Sequence, residues 1–207
     1  MMKYNPETHH RRSIRLPCYD YSQPGAYFIT LCTHQKQCWF GQIDDGKMYI
    51  NQLGKIVQNE WLKSAQMRPN LSLDEWIVMP NHLHGIVWLS ELEKKRTNNS
   101  SYGNLGKADY ADLSPESQKK AFRKKANSLG SFIGGFKASV TKQINQFREN
   151  TSIPIWQRNY YESIIQDETA LNSIREYIQN NPQRWEEDPD HPQCEANFSE
   201  LLLDLVF

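Results

Sequence analysis

Alternation of apolar and polar positions divides the chain into short strands and a few longer amphipathic segments. Ala26–Thr33 (AYFITLCT) is dense in β-formers and reads as a strand. Ahead of it, Gln23-Pro24-Gly25 carries turn chemistry. A hairpin is expected next, with Asp44-Asp45-Gly46 as its turn before Met48-Tyr49-Ile50. Leu53–Gln66 places apolar residues at 53, 56, 57, 61, 62 and 65, which is helical spacing. Leu73–Met79 and His82–Leu89 read as two strands separated by a break at Pro80-Asn81. Residues 91–114 are polar and rich in Asn, Ser and Gly, so a flexible loop is expected there.

The second half is more helical. Ser114-Pro115-Glu116 has the chemistry of a helix start, and that helix should run to about 126. Leu129–Phe147 gives another helix, weakened by Gly134-Gly135. Ile155-Trp156-Gln157 reads as a short strand or a loop. Over Asp167–Gln179, Leu171, Ile174 and Ile178 make an apolar stripe, and Pro182 limits this helix. The order of strand, hairpin, helix, strand pair and helices lacks regular βαβ alternation. It predicts an α+β sandwich rather than a doubly wound sheet.

Composition narrows the class. The chain has 207 residues, 38% apolar and 12% aromatic, enough for a packed core. No run approaches the ~18 apolar residues of a membrane span, so no membrane partner is expected. The first residues lack the apolar stretch of a secretory signal. Cys18, Cys32, Cys38 and Cys194 form no CxxC pair and read as free thiols in a reducing compartment, hence a cytoplasmic protein.

Formal net charge is zero, which by itself argues against a nucleic-acid partner. The distribution argues the other way. Between Glu116 and Arg148 eight Lys and Arg face one acid, a balance of +7; the first seventeen residues carry +3 and the stretch after Arg184 carries −7. Local positive potential is what attracts a phosphate backbone. A solvated helix face with an acidic tail would look the same. Three regions follow: a basic arm at 1–25, a folded domain at 26–185 and an acidic tail at 186–207.

The residues that carry chemistry lie in Met79-Pro80-Asn81-His82-Leu83-His84-Gly85-Ile86-Val87. A strand sends residues two apart to the same face, so both imidazoles project together. That geometry suits two nitrogen ligands on one divalent ion, with Mn, Mg, Zn and Ni all open. Two imidazoles leave coordination incomplete. In Ile174-Arg175-Glu176-Tyr177-Ile178-Gln179-Asn180-Asn181-Pro182, Tyr177 and Asn181 are four apart on one helix face. An amide oxygen can bind a hard cation, and a tyrosine beside a metal-polarised phosphate can act as a covalent nucleophile. Packing roles for both residues stay open. Tyr160 and Tyr161 are rival nucleophiles, but their i+4 partners are Ile164 and Ile165, which cannot bind metal. Trp156 and Arg158 could stack on or contact bases.

These segments resemble the REP-associated tyrosine transposases, relatives of the single-tyrosine insertion-sequence transposases among the HUH endonucleases. The similarity rests on SIRLPCYDYSQPGAYFITLCT, EWIVMPNHLHGIVWL, SLGSFIGGFKASVTKQIN and IWQRNYYESIIQDETALNSIREYIQNNPQRW, spanning roughly residues 11–185. The resemblance implies a ferredoxin-like antiparallel sheet with helices packed on it and the His strand central. It implies metal ligation by His82, His84 and Asn181, with Mg or Mn as the ion and Tyr177 as nucleophile. Related proteins carry Gln at the Asn181 position, and the family pattern has a His near Ser163 and an Arg near Gln166, which this chain lacks. The implied activity is cleavage and rejoining of single-stranded or hairpin DNA through a 5′-phosphotyrosine, by a monomer or homodimer. Candidate DNA contacts are Arg11, Arg12, Arg15, Lys124, Lys125, Lys137, Lys142, Trp156 and Arg158. The competing readings are a nucleic-acid-binding protein that keeps the fold without catalysis, and a structural zinc domain using the two histidines and a cysteine.

Overall fold

The structure is a computed structural model and describes residues 19–91, 127–149 and 153–191. The expected helix before 126, most of the 91–114 loop, and Arg11, Arg12, Arg15, Lys124 and Lys125 lie outside the described residues. Among the described residues, six strands and three α-helices follow in order: β1 (Gly25–Cys32), β2 (Gly41–Asp44), β3 (Lys47–Ile50), α1 (Gln52–Gln66), β4 (Leu71–Val78), β5 (His82–Leu89), α2 (Leu129–Phe147), β6 (Tyr161–Ile165) and α3 (Glu168–Asn180). A 3-10 helix, Asn181–Glu187, continues directly from α3.

Leaving aside the β2–β3 hairpin and the added helix α3, the order is βαββαβ, with strands β4-β5-β1-β6 side by side and every pair antiparallel. This is the ferredoxin-like arrangement, and β5 with its two histidines is a central strand. The hairpin turns at Asp45 and Gly46, with φ of 47° and 67°, the left-handed pair that a two-residue turn needs. Each helix starts on a side-chain cap: Asn51 accepts from Gly54 N, Ser128 from Ser131 N and Asp167 from Ala170 N.

Strand alternation splits the sheet into two faces. One carries Tyr27, Ile29 and Leu31 of β1 with Leu83, Val87 and Leu89 of β5, packed on Val57 and Trp61 of α1 and on Phe132, Phe136 and Val140 of α2. Gly85 lets this packing close, since a Cβ there would lie 2.9 Å from the Trp61 ring and 3.3 Å from Trp76 Cβ. The other face carries Ala26 and Ile86 against Leu171 and Ile178 of α3, with Phe28, Ile77, Ile165 and Ile174 around them. The stripe expected on α3 is the one that docks. An ion pair fixes the helix laterally: Arg175 Nε and a terminal nitrogen donate to Asp74 Oδ1 and Oδ2 at 2.8 and 2.6 Å. Asp74 sits where the β4–β5 register shifts between Leu73 and Trp76.

Two sequence readings need correction. β6 was not anticipated, because Glu162 and Ser163 interrupt its apolar pattern; Glu162 is nonetheless buried at 4% exposure. Cys32 is a free thiol as expected, but Cys38 is disulfide-bonded. No helix among the described residues is long and apolar enough to cross a membrane.

Gly85→Ala should destabilise the domain by about 1–3 kcal/mol through overpacking against Trp61, read as a lower urea midpoint at unchanged slope. A midpoint equal to wild type would show that Trp61 moves aside freely. A second expectation concerns pH. Hydrogen bonds from Arg175 hold the Asp74 carboxyl down at about 2, outweighing its partial burial, with the Trp88 indole assisting. In the unfolded chain the group titrates near ~3.9. Its stabilisation is therefore complete above that value and is lost as pH falls toward 2. Asp74→Asn should flatten the stability profile in that window; an unchanged slope would remove the pair from the account.

Candidate active site

The β1–β5 register sets His84 opposite Thr30 and His82 opposite Cys32. Both imidazoles are buried, at 0% and 2% exposure, on the face that α3 covers. Their ring centroids are 4.3 Å apart. Each Nδ1 is held by the protein: His82 by Asn81 Oδ1 at 2.7 Å, His84 by the Thr30 hydroxyl at 2.9 Å.

Asn81 decides the tautomer of His82. Its Nδ2 donates to the carbonyls of Lys36 and Asp190, at 3.0 and 2.8 Å, so the amide cannot be turned round. Oδ1 then only accepts, and Nδ1 of His82 must be its donor. A neutral ring so held has its lone pair on Nε2. That atom is buried and has no hydrogen-bond partner among the described residues. Burial, and then the neighbouring His84 charge, push the His82 pKa well below its ordinary value, with Asp188 opposing. His82 is thus neutral at physiological pH and presents a bare donor into the site.

Asp188 faces both rings. Its Oδ2 lies 3.9 Å from His82 Nε2 and 3.8 Å from His84 Nε2, and its side chain is 1% exposed. Burial would raise the carboxyl pKa, but the adjacent His84 imidazole and the hydrogen bonds from Asn181 and the Asp190 backbone hold it well below the usual carboxylate range. Asn181 Nδ2 donates to Oδ2 at 2.7 Å, and Asp190 N to Oδ1 at 2.5 Å. Asn181 Oδ1 is a second buried atom without a partner among the described residues. Lys36 ties the 188–190 turn down through Asp190 and the Pro189 carbonyl.

Two imidazole nitrogens, a carboxylate and an amide oxygen form a donor set that suits a divalent cation, and two of these atoms, His82 Nε2 and Asn181 Oδ1, are buried without a partner among the described residues. Tyr177 borders it, with its hydroxyl 3.3 Å from His84 Nε2 and its ring 5.2 Å from the imidazole centroid. Burial of the hydroxyl end, then the carboxylates of Asp188 and Asp190, push the phenol pKa up to about 12.

Of the residues singled out in sequence, His82, His84, Tyr177 and Asn181 converge here. Tyr161 is one ring further out, 6.0 Å from Phe28. Trp156 does not present a stacking surface: it is 8% exposed and packs on Phe40 and Phe136. Lys137 donates to the carbonyls of Gln157 and Asn159, and so braces the segment leading to β6. Lys142 and Arg158 are exposed, and Lys142 lines an open groove between α2 and Pro154–Trp156. Asp188 was missed, grouped with the acidic tail. The available signal was its neighbourhood: Trp185 and the Pro182 and Pro189 that bracket it are unlike a solvated acidic run.

A buried His-x-His pair lies on the central strand of a ferredoxin-like sheet, under a helix that presents a tyrosine. Among solved structures, the REP-associated tyrosine transposase bound to a REP hairpin matches 83% of this chain and 74% of its own, with a TM-score of 0.52 at 16% identity. That likeness shows the fold. A Deinococcus radiodurans crystal structure covers 81% of this chain and 97% of its own at 12% identity, but its TM-score of 0.41 carries no argument. No family model matches. An uncharacterized Haemophilus influenzae protein is 41% identical over 187 residues, 90% of this chain and 96% of that protein, and this chain belongs to its family.

Mn²⁺ titration should give one site per chain. Asn81→Ala should weaken it about 10–100-fold by freeing the His82 tautomer, and Asp188→Asn should weaken it too. Affinities equal to wild type in both variants would contradict the oriented-donor account.

Proposed function

We propose that the protein is a divalent-metal-dependent nuclease and strand transferase that cuts single-stranded or hairpin DNA through Tyr177. One observation carries this reading: the Tyr177 hydroxyl lies 3.3 Å from the Nε2 of an imidazole whose neighbour, His82, offers an unpartnered buried Nε2. Structural polar clusters satisfy their members, whereas this one leaves donors aimed at a common point beside a nucleophile.

His82, His84 and Asp188 would hold the ion, with Asn181 Oδ1 within the same cluster. When bound, the ion supplies positive charge that draws in a phosphate oxygen and offsets the two carboxylates that keep the phenol protonated. Tyr177 Oη attacks the scissile phosphorus. A P–O(Tyr) bond forms, the P–O3′ bond breaks, and the leaving oxygen takes up a proton as the 3′-hydroxyl while the phenol proton passes to solvent. The product is a 5′-phosphotyrosine. Its ester retains the bond energy of the broken linkage, so attack by a 3′-hydroxyl reverses the step and rejoins DNA without ATP. α3 holds Tyr177 in place through the Arg175–Asp74 pair and the Leu171–Ile178 stripe.

A DNA substrate is supported by one solved structure of this fold, whose ligand is a REP hairpin. Mg and Mn fit the mixed nitrogen and oxygen donors. The basic arm residues Arg11, Arg12 and Arg15, the 124–125 lysine pair, Lys142 and Arg158 are the proposed backbone contacts; Lys137 and Trp156 act in positioning and packing instead.

Incubation with a labelled hairpin oligonucleotide and Mn²⁺, followed by denaturing electrophoresis and mass spectrometry, should place a nucleotide on Tyr177. Tyr177→Phe should keep folding and DNA affinity while losing all adduct. An adduct on Tyr160 or Tyr161 would reassign the nucleophile. DNA binding with no adduct on any tyrosine would favour the catalytically inactive binding protein.

A further inference from the structure

We propose that Phe28 and Tyr161 form a stacking platform for a nucleobase of the DNA strand whose phosphate faces Tyr177. The inference rests on the functional reading above and adds a base subsite to it.

The register places the platform. Tyr161 pairs with Thr30, and Thr30 pairs with His84, so the three share one row and one face of the sheet. Two strand spacings separate the ends of that row, about 10 Å. Phe28, two residues from Thr30 on the same face, bridges the gap. Its ring lies 5.5 Å from His84, stacked at 30°, 6.1 Å from Tyr177 and 6.0 Å from Tyr161. An aromatic run therefore begins at the proposed metal ligand and ends in solvent.

α3 packs over β4 and β5, and β6 is the edge of the sheet. The run emerges on the side that this helix leaves open, with Tyr177 37% and Tyr161 44% exposed. The Tyr161 hydroxyl has no hydrogen-bond partner among the described residues. Ser163, opposite Phe28 in the register, adds a hydroxyl to the same face.

The chemistry selects the occupant. An aromatic face carries a negative quadrupole and repels phosphate oxygens, whereas every nucleobase has a π-face that stacks on it. A strand whose phosphate sits at Tyr177 has a base within about one nucleotide of Phe28 and Tyr161. Tyrosine is common on exposed edge strands for packing reasons alone. Such a residue need not share a row with a histidine cluster or touch a phenylalanine that also contacts the nucleophile. Tyr161, a rival nucleophile by sequence, is thereby assigned to substrate positioning.

The test uses the full chain carrying Tyr177→Phe, so that no cleavage intervenes, with Mn²⁺ and hairpin oligonucleotides bearing 2-aminopurine at single positions of the unpaired flank. One flank position should show quenched fluorescence. Adding Tyr161→Ala should abolish the quench and weaken binding about 5- to 150-fold, the range for loss of one base–aromatic stack. Tyr161→Phe should restore both, and Tyr161→Leu, which keeps a strand-compatible apolar side chain without a π-face, should restore neither. Unchanged quench and affinity in Tyr161→Ala would overturn the platform and leave the Tyr177 reading standing. Absence of oligonucleotide binding by the parental protein, together with no adduct in wild type, would overturn both. Loss of self-association in Tyr161→Ala by sedimentation, with DNA binding intact, would give this face to a second copy of the chain and overturn the base assignment.

Discussion

Two imidazoles buried side by side impose the central constraint. The His82 ring resists charge there: removal from water disfavours its cation, and the neighbouring His84 disfavours it further. Buried imidazoles need partners for both of their ring nitrogens. The fold satisfies half of that demand. Asn81 and Thr30 engage the two Nδ1 atoms, and the Nε2 atoms converge toward Asp188 and the Tyr177 hydroxyl. What remains is a set of lone pairs and a carboxylate that a divalent cation would complete.

Much of the scaffold serves this arrangement. Strand alternation puts His82 and His84 on one face and Leu83, Gly85 and Val87 on the other, so the same eight residues build the site and the core. Gly85 allows Trp61 to pack directly behind the histidines. The tyrosine depends on the placement of α3, which the buried stripe and the Arg175–Asp74 pair determine together. The 188–190 turn closes the site from a third direction. It is held by Asn81, the residue that also orients His82, so loosening one bond disturbs both the tautomer and the carboxylate.

The fold was largely legible because its elements follow simple periods. α2 spans Leu129–Phe147 as its pattern predicts, and the Asp45-Gly46 turn and the β4–β5 pair fall where turn residues and alternation place them. The ferredoxin-like topology came from family resemblance, since periodicity reached only an α+β class. β6 escaped because its inward position is Glu162, a buried acid that no hydrophobic pattern reveals. In the cluster, the histidines were singled out by their spacing on one strand, and Tyr177 and Asn181 by their spacing on one helix together with the family resemblance. Asp188 was not: it reaches the histidines by a chain reversal more than a hundred residues away, and in a run of acids its charge looks like solvation. Trp156 misled for the opposite reason, since an aromatic beside Arg158 suggests a nucleic-acid surface until its burial is known.

The central claim is that His82, His84 and Asp188 form one metal centre within reach of Tyr177. Anomalous diffraction from crystals of the full chain grown with Mn²⁺ tests it most directly. The account predicts one strong peak between His82 Nε2, His84 Nε2 and an Asp188 oxygen, at about 2.0–2.3 Å from each, on the side facing the Tyr177 hydroxyl. A map with no peak there, or with Mn²⁺ bound elsewhere while the histidine pair stays hydrogen-bonded within the protein, would contradict it.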